Sequence, residues 1–330
     1  MIVRGLGIYI PEPRHSAADI AAASGLPEAV VRDKLGITAK PVPGPEDHTN
    51  AMGVRAARAA LADARIDARE VDALICITEE HKEYPVWTAG IQAAHELGAV
   101  NAYAFDLGQK CGTAVLALKL ARDMIKADGV STVLIAGGYR NGDLIDYADP
   151  ATRFLNNLAA GGGAAVVTRG GSGFEILGSA FRTDGSFSLD VIVPVGGTVE
   201  PLTADNVEQF RFQVRDSAGM KARLERVSLE NFVGVIEQAC ARSGIRPREA
   251  AYVAMLHMKR SAHQQILERV GVPPERSIYL SDYGHLGQID PLLSLQLARE
   301  QGRLRKGDIA VLCAAGIGYV WNAICVRMTA

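Results

Sequence analysis

A segment that repeats at a nearly constant spacing constrains this chain more than any single residue does. Ile66, Arg69 and Glu70 match Ile245, Arg248 and Glu249 at an offset of 179. Leu120-Ala121-Arg122-Asp123 matches Leu297-Ala298-Arg299-Glu300 at 177, and Val133-Leu134-Ile135-Ala136 matches Val311-Leu312-Cys313-Ala314 at 178. Gly129 likewise matches Gly307. Chance matches would scatter over many offsets, whereas these stay together, as an internal duplication requires. Each half then reads as helix, charged turn, apolar strand, loop, helix, apolar strand. Ala and Leu at helical spacing predict helices over 51–64, 113–127, 228–242 and 291–301. Continuous apolar runs predict strands over 71–77, 132–137, 251–256 and 309–315, of the kind covered on both faces. This alternation predicts mainly parallel sheets with crossover helices. Two such halves, 1–169 and 170–330, give a layered α/β/α/β/α body. Residues 170–225, with many Gly, Ser, Thr and Asp, read as the link between the halves and as loops lining a site.

Composition narrows the classes of function. Hydrophobic residues make up 48% of the 330 and charged residues 22%, enough apolar material for a substantial core. The net charge of −2 gives no global reason to expect nucleic acid or an anionic membrane as partner. No apolar run reaches the roughly 20 residues needed to cross a bilayer. The start, Met1 to Ile10, reads as a strand rather than a signal peptide, so a cytoplasmic enzyme is expected. The five cysteines are odd in number and include no C-x-x-C pair, which suggests neither a disulfide framework nor a zinc site. Cys76, Cys240, Cys313 and Cys325 lie in apolar or helical contexts and read as small core residues.

Cys111 differs from them. It follows a strand at Ala102–Phe105 and opens the helix that begins Gly112-Thr113-Ala114. A thiol there meets the positive end of the helix dipole and its free N–H groups, both of which favour the thiolate. Position alone is equally compatible with a packed core cysteine. The second half supplies partners. His257 ends the apolar run Val253–Leu256, where a structural histidine is also commonplace. His285 lies in Asp282-Tyr283-Gly284-His285-Leu286-Gly287, just before the helix that the duplication pairs with the Cys111 helix. A pseudo-twofold body brings Cys111, His257 and His285 around one cavity. A thiol beside imidazoles is a nucleophile with groups for proton transfer and oxyanion stabilisation.

Over essentially its whole length the sequence resembles the thiolase superfamily, specifically the β-ketoacyl-[acyl-carrier-protein] synthase III branch. The resemblance rests on Tyr9-Ile10-Pro11, Lys34-Leu35-Gly36-Ile37, Tyr84-Pro85 with Gln92, Cys111 before a buried helix, Gly161-Gly162-Gly163-Ala164-Ala165, and Gly316-Ile317-Gly318-Tyr319-Val320-Trp321. It implies the five-layered αβαβα thiolase fold. It also implies acylation of Cys111 by an acyl thioester of coenzyme A or of an acyl carrier protein. The backbone N–H groups of Cys111 and Gly318 would form the oxyanion hole, and His257 would be the family's catalytic histidine. It implies no tightly bound cofactor, because the coenzyme A or phosphopantetheine thioester is a substrate, and it implies a homodimer. In the family that catalytic histidine and an asparagine stabilise the enolate formed when a malonyl thioester loses carbon dioxide, so the resemblance implies transfer of the acyl group to a malonyl thioester or another acceptor. The sequence departs from the family where His-Gly-Asn-Thr-Ser is expected, because His285, which can still donate a hydrogen bond, replaces the asparagine. Val30 stands near the place of the tryptophan that stacks on adenine, and Arg153 roughly matches an arginine that contacts coenzyme A.

A second likeness concerns the base. Ile77-Thr78-Glu79-Glu80 is similar to the Thr-Glu-Ser segment of hydroxymethylglutaryl-coenzyme A synthase, and His257-Met258-Lys259 is similar to that family as well. That resemblance makes Glu79 a base for condensation without decarboxylation; the plain alternative is a solvated loop charge. Lys259 and Arg260 would meet an anionic phosphopantetheine or carrier protein, or else form an ordinary solvated helix face. Tyr84 and Trp87 lie where the family brings pocket-lining residues from its dimer partner, and core packing accounts for them equally well. Two non-enzymatic classes remain beside the acyltransferase: a silent subunit of a heteromeric synthase, which would usually lose the cysteine or histidine, and a redox-sensing thiol, for which no resolving cysteine is evident.

Overall fold

A computed structural model describes residues 1–127 and 129–330. The first half runs β1 (Ile2–Tyr9), β2 (Arg14–Ser16), α1 (Ala17–Ser24), β3 (Ala39–Pro41), α2 (Thr49–Ala64), β4 (Ala73–Cys76), α3 (Ala89–Leu97), β5 (Tyr103–Asp106), α4 (Thr113–Ala127), β6 (Thr132–Tyr139) and β7 (Gly161–Thr168). The second half runs β8 (Phe174–Thr183), β9 (Val191–Ile192), β10 (Gln213–Val214), α5 (Ser217–Arg242), β11 (Tyr252–Met255), α6 (Arg260–Val270), α7 (Asp290–Glu300), β12 (Ile309–Gly316) and β13 (Val320–Met328). The repeat is visible as topology. The main sheet has the order β11-β12-β13-β8-β1-β7-β6-β4-β5, so the second half mirrors the first across the β8–β1 seam. That seam is thin: among the described residues Ile2 and Val3 pair with Glu175 and Phe174, and the Ile176 N–H donates to the Met1 carbonyl.

The layers follow from burial. All eight residues of β6 and all eight of β7 are buried, as strands covered on both faces must be. Helix α2 lies on the outer side of β1, β6 and β7 with α3 beside it, and α5 and α6 do the same for the second half. Helices α4 and α7 each touch both half-sheets and so form the central layer. α2 approaches the sheet closely because glycines face it. A Cβ on Gly7 would stand 2.1 Å from the Ala56 carbonyl oxygen, and one on Gly162 would stand 2.1 Å from that of Met52. Among the described residues no helix is long and apolar enough to cross a membrane.

Two expectations need correction. The sheet is mixed rather than mainly parallel: β4–β5, β4–β6 and β11–β12 are parallel, while β1–β7, β6–β7, β12–β13, β8–β13 and β1–β8 are antiparallel. A fully buried strand has the same continuous apolar run in either direction, so pattern alone does not set its sense. Residues 170–225 are not all linker, since they contain the ten-residue strand β8 and the start of α5. The small residues that disguise β8 have a packing reason. A Cβ on Gly178 would come 2.5 Å from that of Arg242 on α5. The stretch 184–216 does hold short turns and the two-residue strands β9 and β10.

Candidate active site

Cys111 sits in a tight turn, Lys110–Gly112, between β5 and α4. Lys110 takes a left-handed backbone (φ 51°), which reverses the chain before the helix begins. Thr113 braces the turn by accepting from the Gln109 N–H (2.8 Å) and donating to the Lys110 carbonyl (2.5 Å). The Asn322 amide from β13 donates to Gln109 Oε1 and to the Gly112 carbonyl. Gly316, at the end of β12, lies against the same turn: a Cβ there would be 3.1 Å from the Cys111 nitrogen. Gly318 occupies the β12–β13 connection just beyond, and burial, with a smaller contribution from the Cys111 sulfur, raises the pKa of the next residue, Tyr319.

His285 Nε2 stands 3.1 Å from Cys111 Sγ. Its Nδ1 donates to Asp290 Oδ2 at 2.5 Å. Asp290 is the first residue of α7, fully buried, and its carboxylate also accepts the backbone N–H groups of His257 and Leu286, each at 2.8 Å. A carboxylate in the first turn of a helix complements the helix dipole. Burial disfavours a charged His285, but Cys111 and Asp290 outweigh it and the imidazole pKa stands well above its ordinary value. For Cys111 burial dominates and pushes the thiol up, with His285 pulling the other way. The helix N-terminus therefore does not by itself make a free thiolate, and a thiolate formed here has His285 as its counter-ion.

His257 is placed beside this chain of groups, not in it. Its ring contacts Asn157 through Nδ1 (2.9 Å) and the Gly36 carbonyl through Nε2 (3.2 Å). A carbonyl can only accept, so Nε2 carries the hydrogen and Nδ1 accepts from the Asn157 amide. Burial lowers the His257 pKa to about 4, so the ring is neutral near pH 7. One carboxylate thus ties together two histidines of opposite character.

Glu79 is buried rather than a solvated loop charge. Its Oε2 accepts from Asn141 (3.2 Å), and Oε1 has no partner among the described residues. Burial and the neighbouring Glu80 push its pKa up to about 7. Glu80, by contrast, is paired with Lys110 at 2.8 Å. Tyr84 is 65% exposed and meets Trp87 edge-on at 5.6 Å, while Trp87 packs against the core under α2 and α3. Arg153 and Lys259 are exposed, and neither is brought against Cys111 by a hydrogen bond or ion pair among the described residues. The Arg260 guanidinium lies over the ring of Tyr279 at 4.2 Å, so its inner face is already covered. Sequence reasoning missed Asp290 and Asn157. The signal for Asp290 was present: an acidic residue five places after His285, followed by Pro291 at a helix start. No group of three or more His, Cys, Asp or Glu among the described residues is arranged to hold a metal ion.

Comparison with known proteins agrees with this architecture. Residues 105–185 match the family model for 3-oxoacyl-[acyl-carrier-protein] synthase III, and residues 240–328 match the model for its C-terminal part. A β-ketoacyl-[acyl-carrier-protein] synthase III from Gloeobacter violaceus is 32% identical over 305 residues, covering 90% of this chain and 89% of the relative. One from Rhodobacter capsulatus is 27% identical over 333 residues, covering 99% and 98%. The crystal structure of the Thermus thermophilus synthase superposes with a TM-score of 0.84 at 25% identity, covering 100% of this chain and 99% of that one. The fold and these matches define an acyltransferase of the thiolase superfamily. Within it, the chain belongs to the β-ketoacyl-[acyl-carrier-protein] synthase III family.

Proposed function

We propose that Cys111, His285 and Asp290 act as a nucleophile–base–orienter triad that takes an acyl group from a thioester and hands it to an acceptor without decarboxylation. The observation that carries this reading is the unbroken chain from Sγ to Nε2 (3.1 Å) and from Nδ1 to the Asp290 carboxylate (2.5 Å). In the first half-reaction the thiolate of a Cys111–His285 ion pair attacks the thioester carbonyl. The Cys111–acyl bond forms, the bond to the donor sulfur breaks, and the proton held on His285 goes to the departing thiolate. In the second, His285 takes a proton from an acceptor hydroxyl or amine, which attacks the acyl carbonyl. Cys111 leaves as a thiolate beside a protonated His285, and the starting state is restored. The N–H groups of Cys111 and Gly318 receive the oxyanion in both steps. Residues 1–169 bring the nucleophile to this site and residues 170–330 bring the histidines.

Two features favour transfer over decarboxylation. His285 stands where the family has asparagine and is committed to Cys111 and Asp290. Both ring nitrogens of His257 are used within the chain. The pair of free donors that an enolate from a malonyl thioester needs is therefore not offered. An acceptor that must lose a C–H proton has a second base at hand: Glu79, buried, with one oxygen unpartnered and a pKa of about 7. The donor is a coenzyme A or carrier-protein thioester; Arg153, Lys259 and Arg260 are assigned to its phosphates, and Tyr84 and Trp87 to the acyl rim. Strand β5 is the outer strand of the sheet, and exposed Tyr84, Val86, Ile91 and Val100 lie near it in sequence, so a second copy of the chain is assigned to that edge.

The test is incubation with a series of acyl-coenzyme A donors, followed by mass analysis and by addition of malonyl thioester, alcohol or amine acceptors. One acyl mass on Cys111 and transfer without carbon dioxide release are expected. Carbon dioxide released from malonyl thioester at the rate of product formation would contradict the non-decarboxylating reading.

A further inference from the structure

Lys40 is the least expected buried side chain outside the triad. It is 1% exposed, and among the described residues no carboxylate pairs with it. Its Nζ donates to the Asn156 carbonyl at 2.8 Å and to the Leu158 carbonyl at 2.6 Å, and lies 5.2 Å from the centre of the Tyr147 ring. Burial lowers its pKa to about 7. A neutral amine has two N–H groups, and both are used; the third hydrogen of the ammonium form has the ring face to meet. Lys40 therefore keeps both carbonyls in either protonation state.

The residue between those two carbonyls is Asn157, and the segment it belongs to holds both histidines. The Asn157 side chain donates to His257 Nδ1, and its carbonyl accepts the His285 N–H at 2.8 Å. Ala159 N–H donates to the His285 carbonyl at 2.9 Å, so His285 is clasped from both sides of its own backbone. The space beneath is closed: a Cβ on Gly284, which has φ 62°, would lie 2.6 Å from the Asn157 carbonyl oxygen and 3.0 Å from the Lys40 Cβ. The stretch carrying Lys40 reaches His257 a second way, through the Gly36 carbonyl, and binds the far end of the segment where Ala160 N–H meets the Pro41 carbonyl at 3.1 Å.

We propose that Lys40 is a positioning residue: by pinning the carbonyls on either side of Asn157, it sets where His285 meets Cys111. The inference rests on the triad reading above, since His285 must matter for its placement to matter. A displacement of about 1 Å in such a group is enough to cost two orders of magnitude in rate.

The experiment is the pH dependence of Cys111 alkylation by iodoacetamide, with single-turnover acylation by acetyl-coenzyme A, in wild type, Lys40→Met and His285→Ala. For Lys40→Met, the alkylation midpoint is expected to rise by about one unit and the acylation rate to fall about 10- to 100-fold, with donor KM within about twofold. Lys40→Ala is expected to regain part of that rate with a small primary alkylamine added. A Lys40→Met profile that superposes on wild type, while His285→Ala shifts, defeats the role of Lys40 alone. If His285→Ala does not shift either, the triad reading is what fails. Should Lys40→Met not fold, Lys40→Gln, which keeps a two-donor head, takes its place. Loss of folding in both variants assigns Lys40 to the fold as a whole and overturns the inference.

Discussion

The ends of two neighbouring segments in the second half carry histidines that share one carboxylate and behave in opposite ways. His257 follows β11 and gives Asp290 only its backbone N–H; its ring is satisfied by a neutral amide and a carbonyl, and burial keeps it uncharged. His285 precedes α7 and gives Asp290 its ring Nδ1–H, so the same carboxylate holds a proton on it. The difference lies in which atom reaches the carboxylate. An imidazole hydrogen-bonded to an anion becomes a proton store, whereas one bonded to neutral groups becomes a fixed dipole. The family resemblance singles out His257, whereas the imidazole in contact with the Cys111 sulfur is that of His285, the proton carrier in the proposed triad.

The largest effect should come from cutting the shared carboxylate. Asp290→Asn is expected to slow acylation of Cys111 by about 10³- to 10⁴-fold, because an amide can hold the wrong His285 tautomer. Stopped-flow release of coenzyme A reads this directly, and a loss under tenfold would break the distinction between the histidines. His257→Gln should be mild, about tenfold or less in the same assay, since both its ring nitrogens are bonded within the chain.

His257 should instead appear in the acid limb of stability. The folded ring stays neutral down to about pH 4, whereas in the unfolded chain it takes up a proton near its ordinary value of about 6.5. Protonation therefore favours unfolding. This group's contribution is complete above about pH 6.5 and is lost as pH falls through about 4, an upper limit of about 3 kcal/mol. Urea titrations at pH 7 and pH 4.5 should show a smaller acid loss in His257→Gln than in wild type; equal losses would remove the neutral-ring assignment. The smallest effect belongs to Glu79. Above pH 7 its charge raises the Cys111 thiol, so Glu79→Gln should speed alkylation at pH 8 by a few-fold. No change, or a slowing, would place Glu79 electrically apart from the thiol.

Much of this arrangement is legible in the chain itself. α4 spans the predicted 113–127, and α2, β6, β11, β12 and α7 fall within three residues of their expected ends, because each carries a long apolar pattern. α5 starts eleven residues before its expected start, in a polar run where helical spacing is weak. Strand β8 was hidden because the helix above it requires Gly178, which reads locally as a loop residue. The meeting of Cys111 with His285 followed from the duplication, which pairs the turns before α4 and α7. Asp290 and Asn157 stayed out of view for a different reason. Their importance lies in which atom of a histidine they touch, and that depends on side-chain direction across segments far apart in sequence. Lys40 is the extreme case: a lone lysine between Ala39 and Pro41 gives no sign of burial, and the closed fold reveals its two carbonyls 116 and 118 residues away.

The central claim is tested most directly by intact-mass analysis of the protein after brief exposure to an acyl-coenzyme A that acylates the wild type. Acyl mass on Cys111 is predicted to persist in His257→Gln and to disappear in His285→Ala. Retention in His285→Ala with loss in His257→Gln would contradict the triad and return the catalytic role to His257.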